Sequence, residues 1–254
     1  METIGLIAAM PQESGALLRH IKDWKRSRLG SFPVYHFQLF DRNCLLVQSG
    51  MGLSRAMNAA RTLLEKVSPQ FLVAFGVAGA VNDDLQVGDV IVARNACLLD
   101  KSVLIHSHRL AILTEPAQQA VTHALYLSSA RMVYGTAITT RGSQVTQHEF
   151  DEIENPILEM ETSGIANVAA EHGIPLLALR AISDGPQTPL PFNLEEIVDE
   201  DANLKIGKMI QLVLRHPQII LQSRKLNQNV KKAAENLAIA VITALSQHTV
   251  LIKL

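Results

Sequence analysis

Four charged side chains close two apolar segments in the stretch LEMETSGIANVAAEHGIPLLALRAISD, residues 158–184. Glu159 and Glu161 follow the first segment, and Arg180 and Asp184 end the second. Protein cores exclude charge unless it is paired or used, and ligands bind at the carboxyl ends of strands in open α/β sheets. Carboxylates beside an arginine can hold sugar hydroxyls, activate a water molecule and protonate a leaving base. The stretch therefore predicts a functional site, although Arg180 and Asp184 taken in isolation would be better explained as a salt bridge.

Three loop motifs are predicted to meet at the same strand ends, the stretch above being one of them. The motif AAMPQES places Glu13 in the first turn of a helix, and SGMG (49–52) precedes a second helix. The motif FGVAGA (75–80) ends a buried strand. Glycine at such turns lets the backbone approach a ligand, and a helix amino terminus favours anions. Glu13 alone could instead be a first-turn residue favoured by the helix dipole.

Strands that alternate with helices must position these motifs. Nearly all-apolar strands indicate a sheet that is covered on both faces, and we predict one α/β domain over residues 1–184. A hairpin turn is expected at 41–43. Strands are predicted at 4–9, 34–40, 44–48, 71–75, 88–93, 132–138, 157–160 and 174–182, and helices from Pro11, at 54–67 and at 163–172.

Composition narrows the class of protein. The chain has 254 residues, 48% of them hydrophobic, and its net charge of −1 gives no reason to expect a nucleic-acid partner. Cys44 and Cys97 lie in apolar runs, as core residues do in a reducing compartment. The amino terminus does not resemble a signal peptide and no uncharged apolar stretch reaches spanning length, so we expect a cytoplasmic protein. The histidines lack metal-ligand spacing, and no metal is assigned.

The segment after Asp184 has a different character. A Pro-rich connection and an acidic run lead into a basic tail, and we predict that 185–254 is a helical extension packed on the same domain. Two helices are expected within 204–246, separated near Pro217. Apolar side chains of the tail should pack on the domain or on a second subunit: Leu212, Ile219, Ile220, Leu226 and Leu237. Basic side chains should be solvated, with peripheral membrane contact as the alternative: Lys205, Lys208, Arg224, Lys231 and Lys232.

The motifs GLIAAMPQE, SGMG, FGVAGA, LQVGDVIV, EME and RAISD, in that order over residues 3–184, resemble the nucleoside phosphorylase/nucleosidase superfamily. The resemblance is closest to its 5′-methylthioadenosine/S-adenosylhomocysteine nucleosidase branch. It implies a three-layer α/β/α domain with a central, mostly parallel mixed sheet. It also implies cleavage of the N-ribosidic bond of an adenine nucleoside, without a cofactor beyond water or phosphate as co-substrate. A homo-oligomer, with a dimer favoured, is expected.

The resemblance also implies residue roles. Glu13 matches the general base for the attacking water, Glu161 the ligand of the ribose hydroxyls, and Asp184 the acid at purine N7. Arg180 is expected to keep the carboxylates ionised and to orient the nucleophile. Glu159 is expected to be structural, because strand alternation points it away from Glu161. Further substrate-binding positions are Met160, Met51, Val77, Ala78, Gly79 and Ser183, and a candidate anion site comprises Gly50, Gly52 and Arg55.

Departures from the family pattern leave alternatives open. Glu13 and the apolar pair 74–75 stand where phosphorylases carry phosphate-binding arginines, which favours hydrolysis over phosphorolysis. Val77 replaces the small hydroxyl residue of GSAG or GTAG. The tail resembles hopanoid-associated phosphorylase-like proteins, for which the implied substrate is adenosylhopane, a nucleoside that carries a polycyclic lipid. A nucleoside-binding protein without turnover is the non-enzymatic alternative.

Overall fold

The computed structural model describes residues 1–100, 103–140, 150, 152–186 and 218–252. The strands within these ranges are β1 Glu2–Ala8, β2 Trp24–Leu29, β3 Phe32–Leu39, β4 Arg42–Gln48, β5 Phe71–Ala80, β6 Val90–Asp100, β7 Val103–Arg109, β8 Ile112–Leu113, β9 Met132–Thr139, β10 Pro156–Glu159, β11 Leu176–Asp184 and β12 Leu251–Ile252. The helices are α1 Pro11–Arg19, α2 Leu53–Leu64, α3 Glu115–Leu127, α4 Thr162–Glu171 and α5 Gln218–Ser246.

One mixed sheet forms the centre of the described structure. Its strand order is β10-β9-β6-β11-β5-β1-β4-β3-β2, with β7 paired to β6. The central strands β4, β1, β5 and β11 run parallel to their neighbours in this group, so their carboxyl ends share one edge. β10 pairs with β9 and also, antiparallel, with the end of β5, which curls this part of the sheet onto itself. The end of β5 therefore lies between β11 and β10.

Helices cover both faces of the sheet. On one face, α1, α3 and α5 bury Leu17, Val121 and Leu237 in one apolar cluster that includes residues of β1, β5 and β6. On the other face, α2 and α4 bury Leu63 and Ile165 in a second apolar cluster. The three-layer α/β/α prediction is confirmed. Each layer exists because nearly continuous apolar strands must be shielded from water on both sides.

Helix α5 belongs to this core rather than to a separate body. Its residues Ala233, Leu237, Ala240 and Val241 follow helical spacing and are 0–1% exposed. The guanidinium of Arg42 donates hydrogen bonds to the carbonyls of Leu245, Gln247 and His248 at 2.6, 3.0 and 2.8 Å, which satisfies groups that a helix end leaves unpaired. Every helix in the described ranges is too short or too polar to cross a bilayer.

The tail predictions are answered in part. α5 is described from Gln218 onward, and both the first of the two predicted helices and the predicted break near Pro217 lie outside the described residues. Arg224, Lys231 and Lys232 are exposed and Leu237 is fully buried, while Leu226 is partly buried. Three further predicted positions lie outside the described residues: Lys205, Lys208 and Leu212. The side chains of Ile219 and Ile220 are not described either.

Several element boundaries differ from the predictions. β5 continues through GVAGA to Ala80 because both β11 and β10 supply hydrogen-bond partners there. The hairpin turn falls at Phe40 and Asp41, with Phe40 in the left-handed region at φ 53°, and Arg42 already belongs to β4. β2, with the sequence WKRSRL, was not predicted because an edge strand can remain polar on both faces.

Candidate active site

Glu13 is held at the start of α1 by two backbone amides. Pro11 opens the helix, and the N–H of Met10 donates to Glu13 Oε2 at 2.7 Å. The N–H of Val77 on β5 donates to Oε1 at 2.9 Å. The residue is only 2% exposed. One carboxylate oxygen is thus held by the loop before α1 and the other by β5, which is more than a first-turn dipole preference requires.

Arg180 approaches Glu13 across a glycine. In the β5–β11 register Arg180 stands opposite Gly76, and the arginine is 1% exposed. A Cβ on Gly76 would collide with Arg180 Nη1 and would lie 2.8 Å from Glu13 Oε1. A side chain at this position would therefore separate the guanidinium from the carboxylate, so the close approach requires glycine.

Glu161 faces the same guanidinium from another loop. Its carboxylate lies 3.6 Å from Arg180 Nη1 and accepts a hydrogen bond of 3.0 Å from the N–H of Gly52. Gly52 ends the SGMG loop with φ 104°, a conformation that favours glycine. Glu13 of α1, Gly52, Glu161 and Arg180 of β11 therefore meet within one buried cluster.

The expectation that Glu159 points away from Glu161 is wrong. Arg180 Nη2 lies 2.6 Å from Glu159 Oε2, so both glutamates contact one guanidinium. Strand alternation does not apply, because β10 ends at Glu159 and Glu161 is the N-cap of α4, with φ −133° and ψ −37°. The chain turns between the two residues and brings their carboxylates to the same side.

Burial raises the pKa of both glutamates that face this cluster. Desolvation is the main cause for Glu13, and hydrogen bonds from Met10 and Val77 together with the charge of Arg180 only partly offset it. Desolvation likewise raises the pKa of Glu161 to about 7. Arg180 opposes that rise and the neighbouring Glu159 adds to it. Arg180 thus favours the ionised form of Glu161, as expected from the sequence, but desolvation is the larger effect.

Asp184 lies further along the same two strands. It ends β11 opposite Gly79 after a register irregularity, and its Oδ2 would lie 2.9 Å from a Cβ on that glycine. Ser183 donates its hydroxyl to Asp184 Oδ1 at 2.6 Å. Burial raises the pKa of Asp184, and the bond from Ser183 opposes the rise. Gly79 is three residues beyond Gly76, which is about 10 Å further along the axis of β5 at roughly 3.3 Å per residue.

The remaining predicted site residues lie on β5, β11 and α2 and in the loops after β4 and β10. Ala78 is buried and its carbonyl accepts a weak bond of 3.4 Å from Ser183, while Val77 is partly buried against the apolar core. Met51 and Met160 are partly exposed in the loops after β4 and β10. In the candidate anion site, the guanidinium of Arg55 lies over Gly50, 2.9 Å from where a Cβ would be. The Gly52 amide already serves Glu161.

Two threonines take part in the cluster without having been singled out in the sequence. Thr162 Oγ1 accepts from Arg180 Nε and Nη2 at 3.1 and 2.8 Å, and donates to Glu159 at 2.7 Å. Thr139 Oγ1 donates to the other oxygen of Glu159. The signal available in the sequence was the hydroxyl residue directly after EME. Across the described ranges, no group of three or more His, Cys, Asp or Glu side chains is arranged to hold a metal ion.

Several known proteins are similar to this chain in sequence and in fold. The 5′-methylthioadenosine/S-adenosylhomocysteine nucleosidase of Listeria monocytogenes is 25% identical over 229 residues, covering 83% of this chain and 98% of that protein. The nucleosidase of the same name from Colwellia psychrerythraea, solved with adenine, superposes with a TM-score of 0.71 at 20% identity, covering 98% of this chain and 96% of that chain. The futalosine hydrolase of Helicobacter pylori gives 0.69 at 16% identity, with coverage of 96% and 97%.

The structural likenesses show the fold, and the family is shown by sequence. The sequence model of the protein family described as Phosphorylase superfamily matches residues 3–215, which include all the strand-end motifs described above. The chain therefore belongs to the phosphorylase superfamily.

Proposed function

We propose that this protein hydrolyses the N-ribosidic bond of an adenine nucleoside. The names of the similar nucleosidases, and the adenine in the Colwellia structure, support the choice of substrate. The observation that carries the proposal is the position of Glu13. Two amides hold its buried carboxylate beside Arg180 at Gly76, and Asp184 lies at Gly79, three residues or about 10 Å further along the axis of β5. That separation suits a ligand whose sugar and base contact different ends of the same strand.

In the proposed reaction Glu13 and Asp184, at the two ends of the site, have different roles. Glu13, when ionised, accepts a proton from water as the water oxygen bonds to the anomeric carbon. The bond from that carbon to the purine nitrogen breaks, and its electron pair goes to the base. Asp184, when protonated, delivers its proton to N7 of the departing purine. The ionised carboxylate of Glu161, held by the Gly52 amide, binds the ribose hydroxyls and stabilises positive charge on the sugar.

Water rather than phosphate is the proposed co-substrate. The position nearest the reacting centre contains the carboxylate of Glu13, and Glu161 and Glu159 lie around the same guanidinium. A phosphate dianion placed there would meet like charge in a buried site, where repulsion is weakly screened. Arg180 is already engaged by Glu159 and Glu161.

The decisive assay measures free adenine. The protein is incubated with methylthioadenosine, S-adenosylhomocysteine and adenosine, with and without phosphate, and the sugar product is identified. We expect adenine and free sugar at rates that do not depend on phosphate. A sugar 1-phosphate would replace hydrolysis by phosphorolysis, and nucleoside binding without any adenine release would leave the non-catalytic alternative.

A lipid-bearing nucleoside such as adenosylhopane is the second candidate substrate. The observation that favours it is a set of exposed basic side chains on α5: Arg224, Lys225, Lys231 and Lys232. Basic residues near an anionic membrane surface contribute about 1 kcal/mol each, in a salt-dependent way. Sedimentation with anionic vesicles at low and high salt tests this candidate. Binding that salt abolishes supports it, and no binding at low salt leaves a small soluble nucleoside.

We further propose a cytoplasmic homodimer. Free, buried Cys44 and Cys97 suit a reducing compartment. Val103, Tyr126 and Leu127 are large apolar side chains that are more than half exposed, and self-association would remove such surface from water. Light scattering coupled to size-exclusion chromatography would show a monomer mass if the dimer proposal is wrong.

A further inference from the structure

The side chain of Glu159 has no exposed surface, yet it is ionisable and lies beside the proposed reaction centre. Its Oε2 accepts hydrogen bonds from the N–H of Glu161 at 3.0 Å, the N–H of Thr162 at 2.8 Å and the hydroxyl of Thr162 at 2.7 Å. Its Oε1 accepts from the hydroxyl of Thr139. A carboxylate with this many donors is rigidly held, so whatever it pairs with is also held.

The guanidinium of Arg180 has two sides with different partners. Nε and Nη2 face Thr162 and Glu159, which together supply contacts of 3.1, 2.8 and 2.6 Å. Nη1 faces Glu161 at 3.6 Å and lies beside Gly76, where Glu13 also lies. One side is therefore anchored in protein, and the other side is directed at the residues proposed to act on water and ribose.

An ion pair that served only stability would not need a guanidinium with one anchored side and one side directed at the proposed site. Buried ion pairs often contribute little net stability, because desolvation offsets the attraction. Here the anchored edge uses a planar, two-point contact that fixes the orientation of the guanidinium. Thr139 adds a further link, since its hydroxyl also accepts from the N–H of Ser163 at 2.9 Å and so ties β9 to the start of α4. The network fixes both Arg180 and the loop that presents Glu161.

We propose that Glu159, acting with Thr162 and Thr139, is a positioning residue that orients Arg180 toward Glu13 and Glu161 during nucleoside cleavage. The inference rests on the proposed function, since it assigns a role within that reaction. Glu159 touches neither sugar nor base in this role. Its effect is transmitted through the guanidinium, so a loss of Glu159 changes the rate of the chemical step more than the affinity for nucleoside.

The test compares four variants of the full chain. Glu159→Gln keeps the size of the side chain but removes its charge, and Thr162→Val removes only the hydroxyl. Thr162→Ser restores a hydroxyl at the same position. Thr136→Val is the matched control, because Thr136 is a buried threonine of β9 whose odd spacing from Thr139 places it on the opposite face of the strand.

We expect kcat to fall on the order of 10- to 100-fold in Glu159→Gln and Thr162→Val, as small misplacements of catalytic groups do, with KM changed by less than about threefold. Thr162→Ser should recover most of the lost kcat, and Thr136→Val should match wild type. The acidic limb of the pH profile should also move to lower pH in Glu159→Gln, because the charge of Glu159 helps to raise the pKa of Glu161.

The outcomes separate the two proposals. No adenine release by wild type refutes the proposed function. Active wild type with unchanged kcat in Thr162→Val or in folded Glu159→Gln overturns the positioning role and leaves the proposed function intact. If Glu159→Gln does not fold, the Thr162→Val and Thr162→Ser pair decides alone: a loss that serine restores supports the role, and equal kcat overturns it.

Discussion

The carboxylate of Glu13 accepts a hydrogen bond of 2.9 Å from the backbone amide of Val77, which lies 64 residues later in the chain. The contact follows from the sheet, because β1 and β5 are parallel neighbours and Ile7 pairs with Ala74. The loop after β1 therefore lies beside the end of β5. The donor is a backbone group, so valine at position 77 preserves this bond even though it lacks a hydroxyl.

Glu13→Gln should abolish most adenine release. An amide of the same size can keep one of the two backbone hydrogen bonds but cannot accept a proton from water. The expected loss in kcat is about 10²- to 10⁴-fold, the usual range for a general base. Steady-state kinetics measure it, and binding of adenine to the variant, measured by calorimetry, controls for folding of the site. Turnover within about threefold of wild type would assign the base elsewhere.

Gly76→Ala should disrupt the site while Gly15→Ala should not. A Cβ at position 76 would meet Arg180 Nη1 and Glu13 Oε1, whereas a Cβ at position 15 would meet no atom within 4 Å. Both glycines are close to Glu13, one on β5 and one within α1. We expect a loss of at least about 100-fold in kcat/KM for Gly76→Ala.

Gly15→Ala should instead raise the free energy of unfolding by about 0.5–1 kcal/mol, since alanine favours the helix more than glycine does. Thermal melts and activity assays on both variants make the comparison. Equal activity of the two variants would show that the placement of Arg180 and Glu13 beside Gly76 is not required.

Asp184→Asn should stop purine release and leave nucleoside binding largely intact. The amide can hydrogen-bond to N7 but cannot deliver a proton, so a loss on the order of 100-fold or more in kcat is expected. Burial raises the pKa of Asp184, so wild-type activity should also have a high-pH (alkaline) limb, along which it declines as this acid loses its proton. Near-normal turnover of the variant, or an unchanged alkaline limb, would reassign the acid.

The layers and the motif-bearing loops could be predicted from local sequence. All-apolar segments require a sheet that is covered on both faces, and glycine-rich or charged residues at their ends mark the shared edge of parallel strands. β2 could not be predicted in this way, since the polar segment WKRSRL becomes a strand only through pairing with β3.

The orientation of Glu159, like the formation of β2, depends on tertiary contacts that local sequence does not specify. Alternation along a strand predicts opposite faces for Glu159 and Glu161, but the strand ends between them. Where β10 ends is decided by its pairing with β9 and β5, and the arginine that receives both carboxylates comes from β11. No local pattern in EMET contains that information.

Glu161→Gln should become progressively more stable than wild type as the pH rises. Desolvation raises the pKa of Glu161 from 4.5 to about 7, so the folded state binds a proton more tightly than the unfolded state does. The carboxyl group therefore contributes stability below about pH 4.5 that is lost as the pH rises through about 7, whereas an amide does not titrate.

The change should be on the order of 2–3 kcal/mol between pH 4.5 and pH 8, at 1.36 kcal/mol for each unit of pKa shift. Melting temperatures at pH 5 and pH 8 measure it, with about 2–4 °C expected for each kcal/mol.

Glu171→Gln is the matched control, because Glu171 ends the helix that Glu161 caps and forms an ion pair of 3.3 Å with Arg61. Its side chain is 48% exposed, so its contribution should change by less than about 1 kcal/mol. If the two variants show the same pH dependence, burial of Glu161 does not disfavour its charge, and its ionised form must be held by Arg180 and Gly52 at all pH values tested.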